Sequence, residues 1–116
     1  MSNDFPFKIE TLLEQCGGNK DVGGMILDEF ITQVAADIKE LESCLADNRL
    51  VQAGKVGHRL KGTAGVLGAT DLYAHCVALE AAGKKENAED VVKVFPELKT
   101  EVNRCLDAVP EARNRL

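Results

Sequence analysis

The 116-residue chain has no tryptophan, one tyrosine, four phenylalanines, two histidines and three prolines, and no stretch of it is long and apolar enough to suggest a membrane span. A spanning helix needs about twenty predominantly apolar residues, so none is expected. The opening "MSNDFPFKIE" has no basic leader followed by an apolar run. A soluble, cytoplasmic protein is therefore expected, with no membrane partner. The few aromatics are scattered and the net charge is -5, leaving neither a basic stripe nor a stacking platform for nucleic acid.

Other absences narrow the chemistry. The four cysteines, Cys16, Cys44, Cys76 and Cys105, lie about thirty residues apart without a CxxC pair, which fits neither a zinc site nor a small disulfide scaffold. They read as small buried hydrophobes. Two histidines without an ExxH pair cannot build the di-metal centre that some helical bundles hold. No glycine-rich phosphate loop, Ser-His-Asp set or suggestive carboxylate pair occurs either. No metal and no cofactor of its own is expected.

What the chain does have is helical periodicity. With 45% hydrophobic and 28% charged residues it can bury one sizeable core, and no segment alternates in the period-two manner of strands. A short helix is predicted over about Phe7–Gln15, carrying Ile9, Leu12 and Leu13 and stopped by Gly17-Gly18. A second, starting near Asn19 or Asp21 and running to about Ala46, presents Leu27, Phe30, Ile31, Val34, Ile38, Leu41 and Leu45. Asn48 is expected to cap a third helix, about Arg49–Leu67, which Gly68 ends. A fourth spans about Thr70–Lys84, with Leu72, Cys76 and Leu79 in line. Asn87 and Asp90 open a fifth, which Pro96 should kink or break early and Pro110 should end. Four long helices joined by short turns predict an all-α, antiparallel up-down-up-down bundle. Residues 1–116 form one domain: 1–18 a short helix and turn, 19–110 the bundle.

The third helix carries the chemistry. Advancing about 100° per residue from His58 puts Lys61 at about -60°, Gly62 at about +40° and Gly65 at about -20°. The apolar residues Ala53, Val56, Leu60, Thr63, Ala64 and Leu67 fall on the opposite side, so His58 points to water. Each glycine inside a helix costs on the order of 1 kcal/mol relative to alanine. Gly62 and Gly65 strip the surface beside the imidazole to backbone, which leaves room for another molecule. An exposed imidazole, with a reference pKa of about 6.5, offers a lone pair at neutral pH. Lys61, one turn on, supplies charge where a phosphoryl group on His58 would sit. Lys55 and Arg59 flank this face, and on their own they read as solubilising charges. His75 lies at the edge of a core stripe, without the Lys-Gly sequel, and is given no role.

The run "HRLKGTAGVLGATDLYAHCVALE", with the upstream "LLEQCGG" and the long helix after it, resembles the signature of histidine-containing phosphotransfer (HPt) domains over nearly the whole chain. That resemblance implies that His58 accepts a phosphoryl group from a receiver-domain aspartate and passes it to another. The chain would be a phosphocarrier without kinase activity. Lys61 matches the residue that steadies the phosphoryl group, and Gly62 the one that lets the receiver approach. Glu80 falls where relatives carry Gln or Glu facing the active histidine, and Lys84 matches a site that is sometimes basic. Thr63-Ala64 replaces a common Ser-Ser or Ser-Ala, and Pro96 is not a hallmark of the family. The implied partners are the receiver of a hybrid sensor histidine kinase and a response regulator. They would supply the Mg²⁺ and meet a monomer at Lys55, Arg59, Gly62 and Gly65. Two alternatives are the phospho-accepting domain of a chemotaxis-type kinase and a phosphate-independent helical adaptor.

Overall fold

The computed structural model describes residues 5–116, so residues 1–4 of the N-terminal segment lie outside it. Five helices occur among the described residues: α1 Ile9–Gln15, α2 Lys20–Ala46, α3 Leu50–Leu67, α4 Thr70–Lys84 and α5 Ala88–Arg115. The four long helices are joined by short turns and pack as an antiparallel ring, α2 on α3, α3 on α4, α4 on α5 and α5 back on α2. No helix is long and apolar enough to cross a membrane.

Local chemistry sets most of the boundaries. The Asn19 side chain accepts from the Val22 N–H at 3.2 Å, and Asn87 accepts from the Asp90 N–H at 3.1 Å; each satisfies a donor that the first turn would otherwise orphan. Gly68 closes α3 in the left-handed region (φ 63°), and the Ala69 N–H reaches back to the Ala64 carbonyl. A side chain at Gly68 would also collide with the Lys8 backbone and side chain, where the Lys8 N–H donates to the Gly68 carbonyl. This contact docks the N-terminal segment across the α3–α4 turn, and Phe7, edge-on to Phe30 at 6.1 Å, plugs that end of the core.

Three expectations fail for physical reasons. Asn48 does not cap α3; it sits at φ 56° and closes α2, with the Arg49 N–H bonded back to the Cys44 carbonyl at 2.9 Å. Asparagine tolerates the left-handed region, so it serves a helix end as well as a helix start. Pro110 does not end α5, and Pro96 does not break its first turn: the helix runs unbroken through both to Arg115. Both rings lie on the exposed side, where water can serve a carbonyl left without its N–H partner. The bundle accordingly extends past residue 110.

The third correction concerns the buried stripe of α2. It reads Leu27, Phe30, Val34, Asp37, Leu41 and Cys44, spaced 3-4-3-4-3, a heptad-like seam. Ile31 is exposed, and Ile38 and Leu45 are half-buried. A carboxylate at Asp37 thus takes a seam position that hydrophobicity alone would give to Ile38. Thr63 of α3, expected in the core, is likewise only half-buried. All four cysteines are free, with Cys44, Cys76 and Cys105 buried and Cys16 half-buried. Burial pushes the Cys76 and Cys105 thiols up to about 12, so they are inert packing groups.

Candidate functional site

His58 stands on the solvent side of α3 with two-thirds of its side chain exposed, above a core row of Val56, Leu60, Ala64 and Leu67. The ring is not free to turn. Its Nδ1 lies 2.8 Å from Oε2 of Glu80, which rises from α4. Lys61, one turn along α3, donates from Nζ to the other oxygen, Oε1, at 2.7 Å. Lys84, one turn along α4, brings its ammonium to 3.9 Å from Oε2.

The hydrogen bond from Lys61, and then that from His58, holds the Glu80 carboxyl below the usual carboxylate range, while the same bond raises the Lys61 ammonium. Glu80 is therefore an anion at neutral pH and can only accept. His58 must donate from Nδ1–H, and the lone pair lies on Nε2, across the ring from Glu80. The site is an oriented nitrogen nucleophile beside a lysine. Glycines keep its approach open: Gly62 and Gly65 are both exposed, a Cβ at Gly62 would meet nothing within 4 Å, and one at Gly65 would only graze the Tyr73 ring at 3.8 Å.

Three other glycines, which the wheel does not single out, bring Glu80 within reach. A Cβ on Gly83 of α4 would lie 2.5 Å from the Gly54 Cα of α3, and one on Gly57 would lie 3.2 Å from the Glu80 N. Bare backbone on both helices lets α3 and α4 touch here, so a glutamate side chain spans the remaining gap to the ring. Their signal in the sequence is the Gly54-x-x-Gly57 spacing, met by Gly83 across the turn. Beside the crossing a small groove, largely apolar, is lined by Val51, Gly54, Lys55, His58, Glu80 and Lys84.

Arg59 points the other way. Its guanidinium donates through Nε and Nη2 to Oδ1 of the buried Asp37, at 3.1 and 2.6 Å, and through Nη2 to Glu40 at 2.8 Å. Glu40 also accepts from Gln52, and both contacts hold its carboxyl below the usual range. Lys55 remains exposed on the His58 face. Of the residues singled out in the sequence, the structure gathers His58, Lys61 and Lys84 around the Glu80 carboxylate and ties Arg59 to α2. His75 is half-buried and outside this cluster.

Comparison with known proteins places the chain in a family. The chain is similar to the phosphorelay intermediate protein YPD1 of Candida albicans, with 29% identity over 65 residues, 56% of this chain and 35% of that protein. It thus spans about a third of that relative's length. The crystal structure of histidine-containing phosphotransfer protein B (HptB) from Pseudomonas aeruginosa PAO1 has the same fold, with a TM-score of 0.87 at 17% identity and 99% of both chains covered. The profile of the Hpt domain family matches residues 25–112, from early α2 to near the end of α5 and so across the whole His58 site, and this chain belongs to the Hpt domain family.

Proposed function

We propose that this chain is a phosphorelay intermediate. His58 takes a phosphoryl group from the aspartyl phosphate of a receiver domain, that of a hybrid sensor histidine kinase, and delivers it to the aspartate of a response regulator. The observation that carries this reading is the ring held by Glu80 through Nδ1 with its opposite nitrogen toward solvent. In the transfer, Nε2 forms a bond to phosphorus as the acyl P–O bond breaks, and the aspartate leaves as a carboxylate. The proton stays on Nδ1, against Glu80, so the phosphorylated ring carries a positive charge facing a fixed negative one. Onward transfer reverses these bonds.

Glu80 acts on the ring rather than on the phosphoryl group, because a carboxylate repels phosphate oxygens. Lys61 uses one of its three donors on Glu80 and keeps two for the phosphoryl group. Lys84 and Lys55 add exposed positive charge nearby. The chain acts as a cytoplasmic monomer with no kinase activity. Mg²⁺ and the acidic pocket belong to the receiver, where the charge of the transferring group develops.

The test is transfer from a phosphorylated receiver, with the product read as acid-labile, base-stable phosphate. His58→Gln should abolish it with unchanged helicity, because the side chain is exposed and adds little to the core; phosphate retained on this variant overturns the reading. Lys61→Ala should slow transfer without stopping it, and wild-type rates would make Lys61 a bystander.

A further inference from the structure

Phosphoryl transfer uses Nε2, across the ring from Glu80. On the Glu80 side lies the groove between α3 and α4, which the transfer chemistry leaves without a role. It extends along α3 from Val51 to His58, roughly 10 Å at the helical rise. Its volume of about 360 Å³ falls within the range of small-molecule clefts, about 300–1,000 Å³. The floor is bare because Gly54 meets Gly83 there, where a Cβ on Gly54 would lie 3.1 Å from the Gly83 Cα. Val51, an exposed apolar side chain, lines the end away from His58. The rim is cationic. Lys55 is exposed and makes no ion pair among the described residues. Glu80, the one carboxylate lining the groove, has Oε1 taken by Lys61 at 2.7 Å and Oε2 by His58 at 2.8 Å. Lys84 comes no closer to it than 3.9 Å, with most of its side chain in solvent.

We infer that this groove binds a small organic anion with a narrow apolar body, its charged head meeting Lys55 and Lys84 and its body laid over Gly54 toward Val51. Charge complementarity selects this occupant. Two ammonium groups repel a cation, and the Glu80 oxygens that could hold one are already engaged. A bare apolar floor gives an uncharged polar molecule nothing to replace its water, whereas it takes an aliphatic chain or a single ring out of water. The bound anion stands beside His58 without covering Nε2. A small phosphoryl donor can therefore still reach the ring, while a protein-sized donor or acceptor meets an added group beside it. This effect on transfer, unlike the binding, rests on the relay reading above.

The test titrates the full chain with sodium octanoate and follows backbone amide shifts by NMR. Octanoate should bind with a Kd on the order of 1 mM, the range for a ligand of about ten non-hydrogen atoms, with shifts confined to residues 51–58 and 80–84. Acetate lacks the body and octyltrimethylammonium reverses the charge, so each should bind at least about tenfold more weakly. Val51→Gln and Lys84→Glu should each weaken octanoate about fivefold. Val51→Gln should keep wild-type labelling of His58 by potassium phosphoramidate, which shows that the fold and the nucleophile are intact. 4-Phenylbutyrate, titrated alongside, separates an aromatic from an aliphatic source, and binding of either anion at these residues supports the site. Equal binding of octyltrimethylammonium, shifts spread over the whole surface, or unchanged octanoate affinity in both variants overturns the inference. So does the absence of binding by both anions; if Val51→Gln then slows receiver transfer, the groove belongs to a protein partner instead. With octanoate bound, transfer to a receiver should slow while phosphoramidate labelling does not. Octanoate bound at this groove in a protein that passes phosphate to no receiver would remove the relay reading and leave the site standing.

Discussion

α3 meets its two neighbours by opposite means. Toward α4 it presents Gly54 and Gly57 to Gly83 and to the Glu80 backbone, and the helices approach until a Cβ at Gly83 would lie 2.5 Å from the Gly54 Cα. Toward α2 it extends Gln52 and Arg59 to Asp37 and Glu40, so charged and amide side chains fill the space that backbone fills on the other side. The bare contact lets a short reach from α4 fix the ring of His58, with Glu80 tied to Lys61 as well. The filled contact takes the arginine next to His58 out of solution chemistry. One helix thus presents its reactive residue between a flank built for position and a flank that withholds a charge.

The comparison breaks most visibly at the glycine crossing. Gly83→Leu would force a branched side chain into the Gly54 backbone, which cannot step aside as a flexible side chain can, and should cost about 3 kcal/mol or more. The melting temperature should fall by roughly 10 °C or more, as measured by circular dichroism. A variant that melts like wild type would show that α3 and α4 do not depend on this contact.

On the filled flank the effect is smaller and depends on which partner goes. Arg59→Ala leaves the buried Asp37 carboxylate with Gln33 as its one remaining side-chain donor among the described residues and should destabilise by about 2 kcal/mol, below the range for fully buried pairs because Arg59 is partly exposed. Asp37→Leu should do far less. It completes the apolar seam and removes Oδ2, which is buried without a hydrogen-bond partner among the described residues, so denaturant midpoints within about 1 kcal/mol of wild type are expected. The reverse order would mean that the carboxylate itself, rather than the charge left behind, holds α2 to α3.

Gly62 sharpens the contrast, since the same kind of substitution should change sign along one helix. Gly62→Ala enters open space and removes an interior glycine, so it should stabilise by about 0.5–1 kcal/mol. Gly62→Gln should also raise helix stability while blocking receiver transfer. Melts and transfer rates on one sample decide this, and wild-type transfer by Gly62→Gln would mean that the bare ridge is not an approach path.

The smallest effect is in pH. Glu80 is held below its ordinary value by Lys61 and His58, so its contribution to stability is fully present above the unfolded carboxylate value of about 4.3 and is lost as pH falls through the lower folded value. The raised Lys61 contributes below the ordinary lysine value of about 10.4 and loses that contribution as pH rises through its folded value. From about pH 5 to 9 the Glu80→Gln deficit should be flat and then narrow on the acid side. A deficit that widens in acid would contradict the sign.

The helices, the Asn87 cap and the exposure of His58 were legible because each depends on residues within a few positions of one another. The stripe positions and the wheel around His58 need no knowledge of the rest of the chain. The errors mark where local rules have two readings. Asn48 fits a helix start and a helix end, proline on a wet face interrupts less than proline in a core, and Asp37 occupies a seam position because Arg59 and Gln33 come to meet it.

Periodicity by itself determined that this chain makes helices with one apolar face each, and that His58, Lys61 and Gly62 share the wet face of α3, because 3.6 residues per turn is a property of the backbone. It did not determine what stands beside them. Glu80 lies 22 residues from His58 along the chain, and Asp37 and Glu40 approach Arg59 from another helix. Which flank receives the carboxylate that orients the ring, and which receives those that neutralise the arginine, follows from how closely two helices pack. That distance was decided only in the folded bundle, where Gly54 meets Gly83 backbone to backbone and Gly57 lies against the Glu80 backbone and Leu79.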